Sequence, residues 1–215
     1  LDYDGNGDGI PDSEQQQVHS FPGYDGANLL TLQTTDGIID SAVGVEVPEN
    51  ENPDYIGLFE EDFIQGTISG LTPGAASNVI YYLPEGQQPE SFWMYGPTQD
   101  EPASHWYEFI FNGSTGAVID GNTVQLHLQD GGWGDSDGLA NGVITFSGGA
   151  GQIYFDGNRD NTPDIWQPNV ETILAYGSQD SIIVVSQDGT ALQNMEALQV
   201  QPANDARYLP EFPHA

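Results

Sequence analysis

Two segments that lie 152 positions apart carry almost the same acidic motif. The first begins at Asp4 and reads DGNGDGIPD, and the second begins at Asp156 and reads DGNRDNTPD. Oxygen-bearing side chains stand at every second position, with Gly or Asn between most of them. Ca²⁺ takes about six to eight oxygen ligands, and the backbone must curl tightly to supply them, which Gly and Asn permit. The repeat therefore predicts two calcium loops in an internally duplicated chain.

The first loop follows the start of an EF-hand ligand series, including a glycine, Gly9, at the sharp turn. It departs from that series where the bidentate glutamate would stand, because Gln15 occupies that position. Pro11 would also break a flanking helix, so an EF-hand is not predicted. The expected Ca²⁺ ligands are Asp2, Asp4, Asn6, Asp8, the Ile10 carbonyl, Asp12 and Gln15.

The second loop keeps most of these positions but changes two of its turn residues. Asn161 replaces the glycine, and Asn is the next best residue for a left-handed backbone. Arg159 adds a positive charge, which should weaken cation affinity relative to the first loop. The expected ligands are Asp156, Asn158, Asp160, Thr162, Asp164 and Gln167.

A third acidic cluster lies between two predicted strands, and its spacing permits two interpretations. It is either another Ca²⁺ site or a long hairpin loop in which the side chains form Asx turns with the backbone. The residues that would bind the metal are Asp130, Asp135, Asp137 and Asn141.

Short runs rich in Val, Ile, Thr, Tyr and Phe recur between clusters of Gly, Pro, Asn and Asp, and no long stretch keeps the helical period. This pattern predicts an all-β protein built as an antiparallel β-sandwich with acidic calcium loops. The predicted strands are 29–33, 38–47, 63–69, 78–83, 91–95, 106–111, 118–119, 123–128, 142–146, 172–175, 181–186 and 192–200.

The duplication extends beyond the loops. At the same offset, Val18 aligns with Val170, Leu30 with Ile182, and Leu32 with Val184. A loop and the two strands after it therefore occur twice, and the repeated strands either begin a second unit of a tandem array or complete the first sandwich. The expected organisation is a calcium loop at 1–15, a sandwich at 16–150, a second calcium loop at 151–167, repeated strands at 168–200 and a tail at 201–215.

Acidic residues far outnumber basic ones: Asp and Glu total 33, Lys and Arg total 2, and the formal charge is −31. A field of this sign repels nucleic acid and anionic membranes, and no apolar run is long enough for direct membrane insertion, so neither is an expected partner. The charge serves either cation binding or solubility alone. With no cysteine, the chain has no disulfides, a composition that fits an extracellular bacterial protein cross-linked by metal ions.

Two stretches resemble known families. The acidic run that closes with Gly9-Ile-Pro-Asp resembles the thrombospondin type 3-like calcium repeats of secreted and bacterial surface proteins. Tyr95-Gly-Pro-Thr and Trp106-Tyr-Glu-Phe resemble a bacterial extracellular domain called choice-of-anchor U, over about residues 14–150. These resemblances imply a large adhesin that is secreted or located on the cell surface, with neighbouring domains of the same chain as partners. They imply no enzymatic reaction.

The sequence carries no recognisable enzyme motif. It contains no Gly-x-Ser-x-Gly elbow, no His-Glu-x-x-His pair and no phosphate loop, and its four histidines are scattered. We therefore predict no catalytic residues and no enzymatic activity.

Aromatic side chains suggest an alternative to a purely structural module. A platform for a cell-surface glycan would be formed by Trp93, Tyr95, Trp106 and Trp133. However, β-sandwich cores use large aromatics routinely. Strand alternation puts Trp93 and Tyr95 on one face and Phe92 and Met94 on the other, so one of these pairs is expected to be core. The leading expectation is thus a calcium-stabilised adhesion module, and glycan binding is the alternative.

Overall fold

The computed structural model describes residues 3–49, 55–59, 63–174 and 181–185, with the backbone alone at 171–174 and 181–185. This part of the chain contains no α-helix, and two single 3₁₀ turns occupy Asp12–Glu14 and Asp164–Trp166. The strands are β1 (Val18–Pro22), β2 (Leu29–Thr34), β3 (Ile38–Val45), β4 (Tyr55–Phe59), β5 (Phe63–Ser69), β6 (Ala76–Tyr82), β7 (Ser91–Gly96), β8 (His105–Glu108), β9 (Gly116–Asp120), β10 (Thr123–Gln129), β11 (Ile144–Phe155), β12 (Val170–Leu174) and β13 (Ser181–Val185).

Most of the strands form two antiparallel sheets that pack as a sandwich, which confirms the predicted fold class. The first sheet has the order β1-β2-β6-β10-β9. The second has the order β3-β5-β11-β7-β8, and β4 also pairs with β11. Many sheet neighbours are distant in sequence, so the sandwich depends on pairings that local pattern alone does not specify.

The core lies between the two sheets and follows the two-residue alternation of the strands. In β10, Val124, Leu126 and Leu128 are buried, and the residues between them are not. The core-facing side chains of β7 are Phe92 and Met94, which are at most 1% exposed, while Trp93 and Tyr95 are half-buried on the opposite face. Phe92 and Met94 are therefore the core pair that the alternation required.

Strands β1 and β4 are missing from the predicted set. β1 reads VHSFP, and its polar residues and proline weaken the strand pattern. Proline is tolerated because β1 is the edge strand of its sheet. β4 is only five residues long and contains a glycine, Gly57, which depresses its strand propensity.

β11 runs for 12 residues, much further than the predicted strand at 142–146. The predicted strand stopped before the run Gly148-Gly149-Ala150-Gly151, but here each glycine makes room for a neighbour. A β-carbon on Gly148 would lie 2.5 Å from the Phe92 ring, and one on Gly149 would lie 2.9 Å from the rings of Phe59 and Phe63. These glycines leave the space that the aromatic rings occupy, so packing against the rings explains why they lie in a strand.

β12 pairs with β13 in a separate two-stranded sheet. The register runs from Val170 opposite Val185 to Leu174 opposite Ser181. β1 and β2 pair from Val18 opposite Gln33 to Pro22 opposite Leu29, and every pair is displaced by the same 152 positions. The two hairpins therefore pair in the same register. The predicted strand at 192–200 and the tail at 201–215 lie outside the described residues.

The chain divides into two compact units, residues 1–50 with 57–153 and residues 51–56 with 154–215. The first unit contains the first acidic loop and the two sheets of the sandwich. The second contains the other copy of the loop and the β12–β13 hairpin.

We predict that Gly148→Ala lowers the free energy of unfolding of the sandwich by about 1–3 kcal/mol, because the added methyl group overpacks the Phe92 ring. Urea denaturation followed by tryptophan fluorescence measures this change. Combining Gly148→Ala with Phe92→Leu should recover part of the loss, because the smaller side chain vacates the space. Strictly additive effects of the two substitutions would contradict the packing explanation.

Candidate functional site

The first acidic loop is closed by its own side chains. The carboxylate of Asp4 accepts hydrogen bonds from the backbone N–H of Asp8 at 3.1 Å and of Gly9 at 2.8 Å. Asp8 Oδ1 accepts the backbone N–H of Ile10 at 2.8 Å. The curl requires positive φ at two glycines, +72° at Gly7 and +86° at Gly9. Sequence spacing and glycine placement together produce this local geometry.

Gln15 points back into the loop. Its Nε2 donates to Asp8 Oδ1 at 3.2 Å and to the Ile10 carbonyl at 3.1 Å. The amide nitrogen thus lies where two of the predicted metal ligands converge. An amide presents oxygen on one side and NH₂ on the other, so half a rotation of the terminal amide directs Oε1 to the same place. Gln15 is therefore placed to serve as the last ligand of the series.

The second loop reproduces this network at the same offset. The backbone N–H groups of Asp160 and Asn161 donate to the two oxygens of Asp156, at 3.2 and 2.9 Å. Gln167 Nε2 donates to Asp160 Oδ1 at 3.0 Å and to the Thr162 carbonyl at 2.8 Å. The two 3₁₀ turns also coincide, because Asp12–Glu14 and Asp164–Trp166 differ by the same offset. The two loops thus share the same hydrogen-bond network, although Asp4 is exposed and its counterpart Asp156 is buried.

Two residues of the second loop adopt a left-handed backbone that glycines provide in the first. Arg159 has φ +59° and Asn161 has φ +65°, at the positions of Gly7 and Gly9. Asn161 tolerates this conformation, as predicted, whereas a long side chain such as Arg159 is disfavoured there by roughly 1–2 kcal/mol. The positive charge of Arg159 was apparent from sequence, but this backbone conformation was not.

Asp12 differs from the other predicted side-chain ligands described in the first loop because it is only 4% exposed. Its carboxylate accepts hydrogen bonds from the backbone N–H of Gly5 and from the hydroxyl of Ser20. Ser20 in turn shares a 2.8 Å hydrogen bond with the Thr31 hydroxyl. Asp12 therefore links the loop to the β1–β2 hairpin through hydrogen bonds. Asp164 is also buried and accepts the backbone N–H of Gly157 at 3.2 Å, while Asp2 lies outside the described residues.

Sequence reasoning did not identify Ser20 or Tyr82 as neighbours of the first loop. The pKa of Tyr82 is raised by burial and by the negative charges of Asp8 and Asp12, so this tyrosine lies in the field of the loop. A signal for Ser20 was present in the repeat, because the aligned position of the second copy is Thr172, which also carries a hydroxyl. No comparable signal marked Tyr82, which approaches the loop through sheet pairing.

The side chains of the third acidic cluster accept hydrogen bonds from backbone N–H groups, most of them within the cluster itself. Asp130 is 2% exposed and accepts the N–H groups of Gly74, Gly142 and Asn141. Asp135 is 4% exposed and accepts those of Gly131 and Thr145. Asp137 and Asn141 accept the N–H groups of Leu139 and Val143, each two residues ahead, which is the Asx-turn pattern. The Asx turns of the hairpin-loop interpretation are therefore present, and the repeated loops contain the same pattern at Asp8 and Asp160.

Burial and hydrogen bonding act in opposite directions on the two buried carboxylates of this cluster. Burial opposes the charged form of Asp130, but hydrogen bonds from Gly74, Gly142, Asn141 and Val143 outweigh it and lower the pKa. For Asp135, burial dominates and raises the pKa. Asp130 is thus a stabilised anion that joins two turns, whereas the negative charge of Asp135 is disfavoured by its surroundings.

The four predicted platform aromatics do not form one exposed surface. Trp93, Tyr95 and Trp106 are half-buried on the outer face of the second sheet, where Trp106 packs on Phe59 and Phe63 with ring centroids 5.7 and 5.2 Å apart. Trp133 lies elsewhere, packed against Phe109 at 4.7 Å. The arrangement separates Trp133 from the other three rings.

The two repeated loops fit a hard cation because each offers several kinds of oxygen atom as metal ligands. In the described residues, no three carboxylate or imidazole side chains cluster closely enough to form a metal site by themselves. Each loop instead combines two carboxylates with Asn and Gln side chains and a backbone carbonyl. These are the oxygen types that Ca²⁺ accepts, and every carboxylate has about four lone-pair positions, so the internal hydrogen bonds leave acceptor capacity.

Comparison with protein-family models, with curated proteins and with solved structures returns no match. The resemblances to calcium repeats and to choice-of-anchor U therefore stay predictions. Within the described residues, no helix combines the length and hydropathy needed to cross a bilayer.

We predict that Asp130→Asn lowers the free energy of unfolding by about 1–3 kcal/mol at neutral pH, because one acceptor oxygen facing backbone N–H groups becomes a donor. The pKa of Asp130 is lowered on folding, so its stabilisation is present above the ordinary value of 3.8 and is lost as the pH falls below it. The difference between wild type and variant should therefore shrink in acid. Urea denaturation across pH measures it.

The matched control is Asp137→Asn, an exposed position in the same loop where the amide keeps its acceptor oxygen for the Leu139 N–H. We expect a change within about 0.5 kcal/mol. If Asp130→Asn were equally mild, or if its effect did not depend on pH, the account of the buried anion would be wrong.

Proposed function

We propose that this chain is a calcium-stabilised structural and adhesion module of a large bacterial adhesin that is secreted or displayed on the cell surface. One observation carries the proposal. Two acidic loops with the same internal hydrogen bonds each precede a β-hairpin in the same register, 152 positions apart. A local network kept in both copies, with oxygen donors converging on one place, is what a repeated cation loop requires.

The residues that would hold the ion in the first loop are Asp4, Asn6, Asp8, Gln15 and the Ile10 carbonyl. Asp4 and Asp8 are exposed, so they remain accessible to a cation, whereas the buried Asp12 positions the loop. Bound Ca²⁺ supplies positive charge that neutralises the clustered carboxylates. The corresponding set in the second loop is Asp156, Asn158, Asp160, Gln167 and the Thr162 carbonyl, of which Asp160 is exposed and Asp156 is buried.

Electrostatics gives the metal a mechanical role. The chain carries a formal charge of −31, so its carboxylates repel one another and have very few basic partners. Neutralising each loop removes part of that repulsion and fixes a glycine-rich segment directly before a hairpin. The metal thus stiffens the chain where a loop passes into a β-unit.

The adhesin setting is supported by the absence of cysteine, the strongly acidic composition and the two family resemblances. In this setting the partners are neighbouring domains of the same chain. We give the structural role precedence over glycan binding because Trp106 packs on the rings of Phe59 and Tyr95, and Trp93 donates a hydrogen bond to Gln152.

We expect Ca²⁺ to raise the melting temperature of the chain relative to EDTA by about 5–10 °C at saturating metal, because a ligand that binds only the folded state stabilises it by mass action. The double variant Asp8→Ala with Asp160→Ala should lose most of this increment while melting near wild type in EDTA. Differential scanning calorimetry with and without Ca²⁺ measures both quantities.

Asp40→Ala is the matched control, because Asp40 is an exposed carboxylate in β3, outside both loops. It should keep the full response to Ca²⁺. An identical melting temperature in Ca²⁺ and EDTA for the wild-type chain would refute the proposal.

A further prediction concerns the difference between the two loops. Arg159→Gly should tighten Ca²⁺ binding at the second loop by about fivefold or more, because it removes a nearby positive charge and a disfavoured left-handed residue. Isothermal titration calorimetry in the Asp8→Ala background isolates the second loop. Arg159→Gln separates the causes, because it removes the charge and keeps the backbone strain. Equal affinities for all three chains would show that Arg159 does not tune the site.

A further inference from the structure

Away from the repeated loops, the loops that follow β7 and β10 enclose a pocket of ≈340 Å³. Its lining includes Trp133, Pro97, Pro102 and the carboxylates of Asp135 and Asp137. The two loops are joined by a hydrogen bond from Gln99 Nε2 to the Gly131 carbonyl at 3.3 Å. The volume lies at the lower end of the range for small-ligand sites, and it suits one side chain or one small organic group.

Two neighbouring aromatic rings fix the position of the Trp133 side chain. Its ring packs on Phe109 at 4.7 Å between centroids and lies 5.8 Å from the Tyr107 ring. The side chain is only half-buried by these contacts, and it lines the pocket. An indole fixed on the core and partly open to a pocket presents a π-surface without losing further side-chain entropy on binding.

The charged residues that line the pocket, Asp135 and Asp137, are both acidic. Asp135 accepts two backbone N–H groups, at 2.8 and 3.0 Å, and Asp137 accepts the Leu139 N–H at 2.7 Å and Asn141 Nδ2 at 3.0 Å. Each carboxylate retains acceptor capacity beyond these bonds. Burial raises the pKa of Asp135, so a cation beside it would offset the unfavourable desolvation of its charge. The pocket therefore favours a ligand with donors and positive charge.

We propose that this pocket binds the guanidinium group of an arginine side chain presented by a basic partner protein. Guanidinium is planar and stacks on aromatic rings, and it offers five N–H donors and no acceptor. These properties complement a pocket that is lined by an indole and two acidic residues. A sugar would bring acceptors as well as donors and would leave the negative charge unpaired.

Charge complementarity identifies the source of the arginine as another molecule. The chain has 33 acidic and only 2 basic residues, so it attracts basic proteins over a long range. The proposal goes beyond calcium stabilisation, because the pocket shares no residue with the repeated loops. Failure of one proposal therefore leaves the other standing.

The test uses the full chain with Ca²⁺ and two blocked pentapeptides that differ in one central residue, arginine or its neutral isostere citrulline. Binding is followed by the NMR cross-peak of the Trp133 indole N–H, assigned through Trp133→Phe. We expect the arginine peptide to shift this peak and the citrulline peptide to bind at least about tenfold more weakly. Trp133→Phe and Asp137→Asn should each weaken binding about three- to tenfold, measured by isothermal titration calorimetry because Trp133→Phe lacks the indole peak. Raising the salt concentration should weaken it further.

Trp166→Phe is the matched control, because Trp166 is 58% exposed and belongs to the second loop. It should leave the affinity unchanged. Thermal melts of Trp133→Phe and Asp137→Asn confirm that each variant is folded before its affinity is compared. Equal binding of both peptides, a shift of the Trp133 peak by neutral methyl glycosides in place of the arginine peptide, or no shift with any probe would overturn the proposal.

Discussion

Carboxylates that accept backbone N–H groups are the interaction on which the loops of this protein depend. With 33 acidic and 2 basic residues and no cysteine, ion pairs and disulfides cannot provide the cross-links. The acidic side chains use the backbone instead. Asp4 and Asp156 close the repeated loops, Asp12 attaches the first loop to β1, and Asp130 joins two turns of the sandwich. The same residue type thus supplies negative charge and structural order.

Exposure and hydrogen bonding together decide what each carboxylate is available to do. Asp4 and Asp8 are exposed and keep lone pairs accessible to a cation, whereas Asp130 is buried and accepts three backbone N–H groups. Asp156 of the second loop is also buried, so the hydrogen-bond network that the two loops share, rather than exposure alone, supports the calcium proposal there. Arg159 bears on that proposal because it is one of only two basic residues and lies within the second acidic loop.

Features governed by local chemistry could be predicted from the sequence. Glycine and Asn positions indicated the left-handed turns of both loops, alternation identified Phe92 and Met94 as a possible core pair, and the repeat offset predicted the paired hairpins. Features that depend on partners far away in the sequence could not be predicted in this way. The predicted strand stopped short of the glycines of β11, because the rings that need their space come from other strands. Metal loops and Asx turns share one spacing, so the sequence left both interpretations of the third cluster open.

The most direct test of the account is a crystal structure grown with Ca²⁺, in which anomalous scattering locates the ions. The account predicts an ion in each repeated loop, with oxygens of Asp4, Asn6 and Asp8 at about 2.3–2.6 Å in the first. It also predicts that the Gln15 amide rotates to direct Oε1 at the metal, and that no ion lies beside Asp130 or Asp135. A saturated crystal with no ion in the first loop would contradict the central claim.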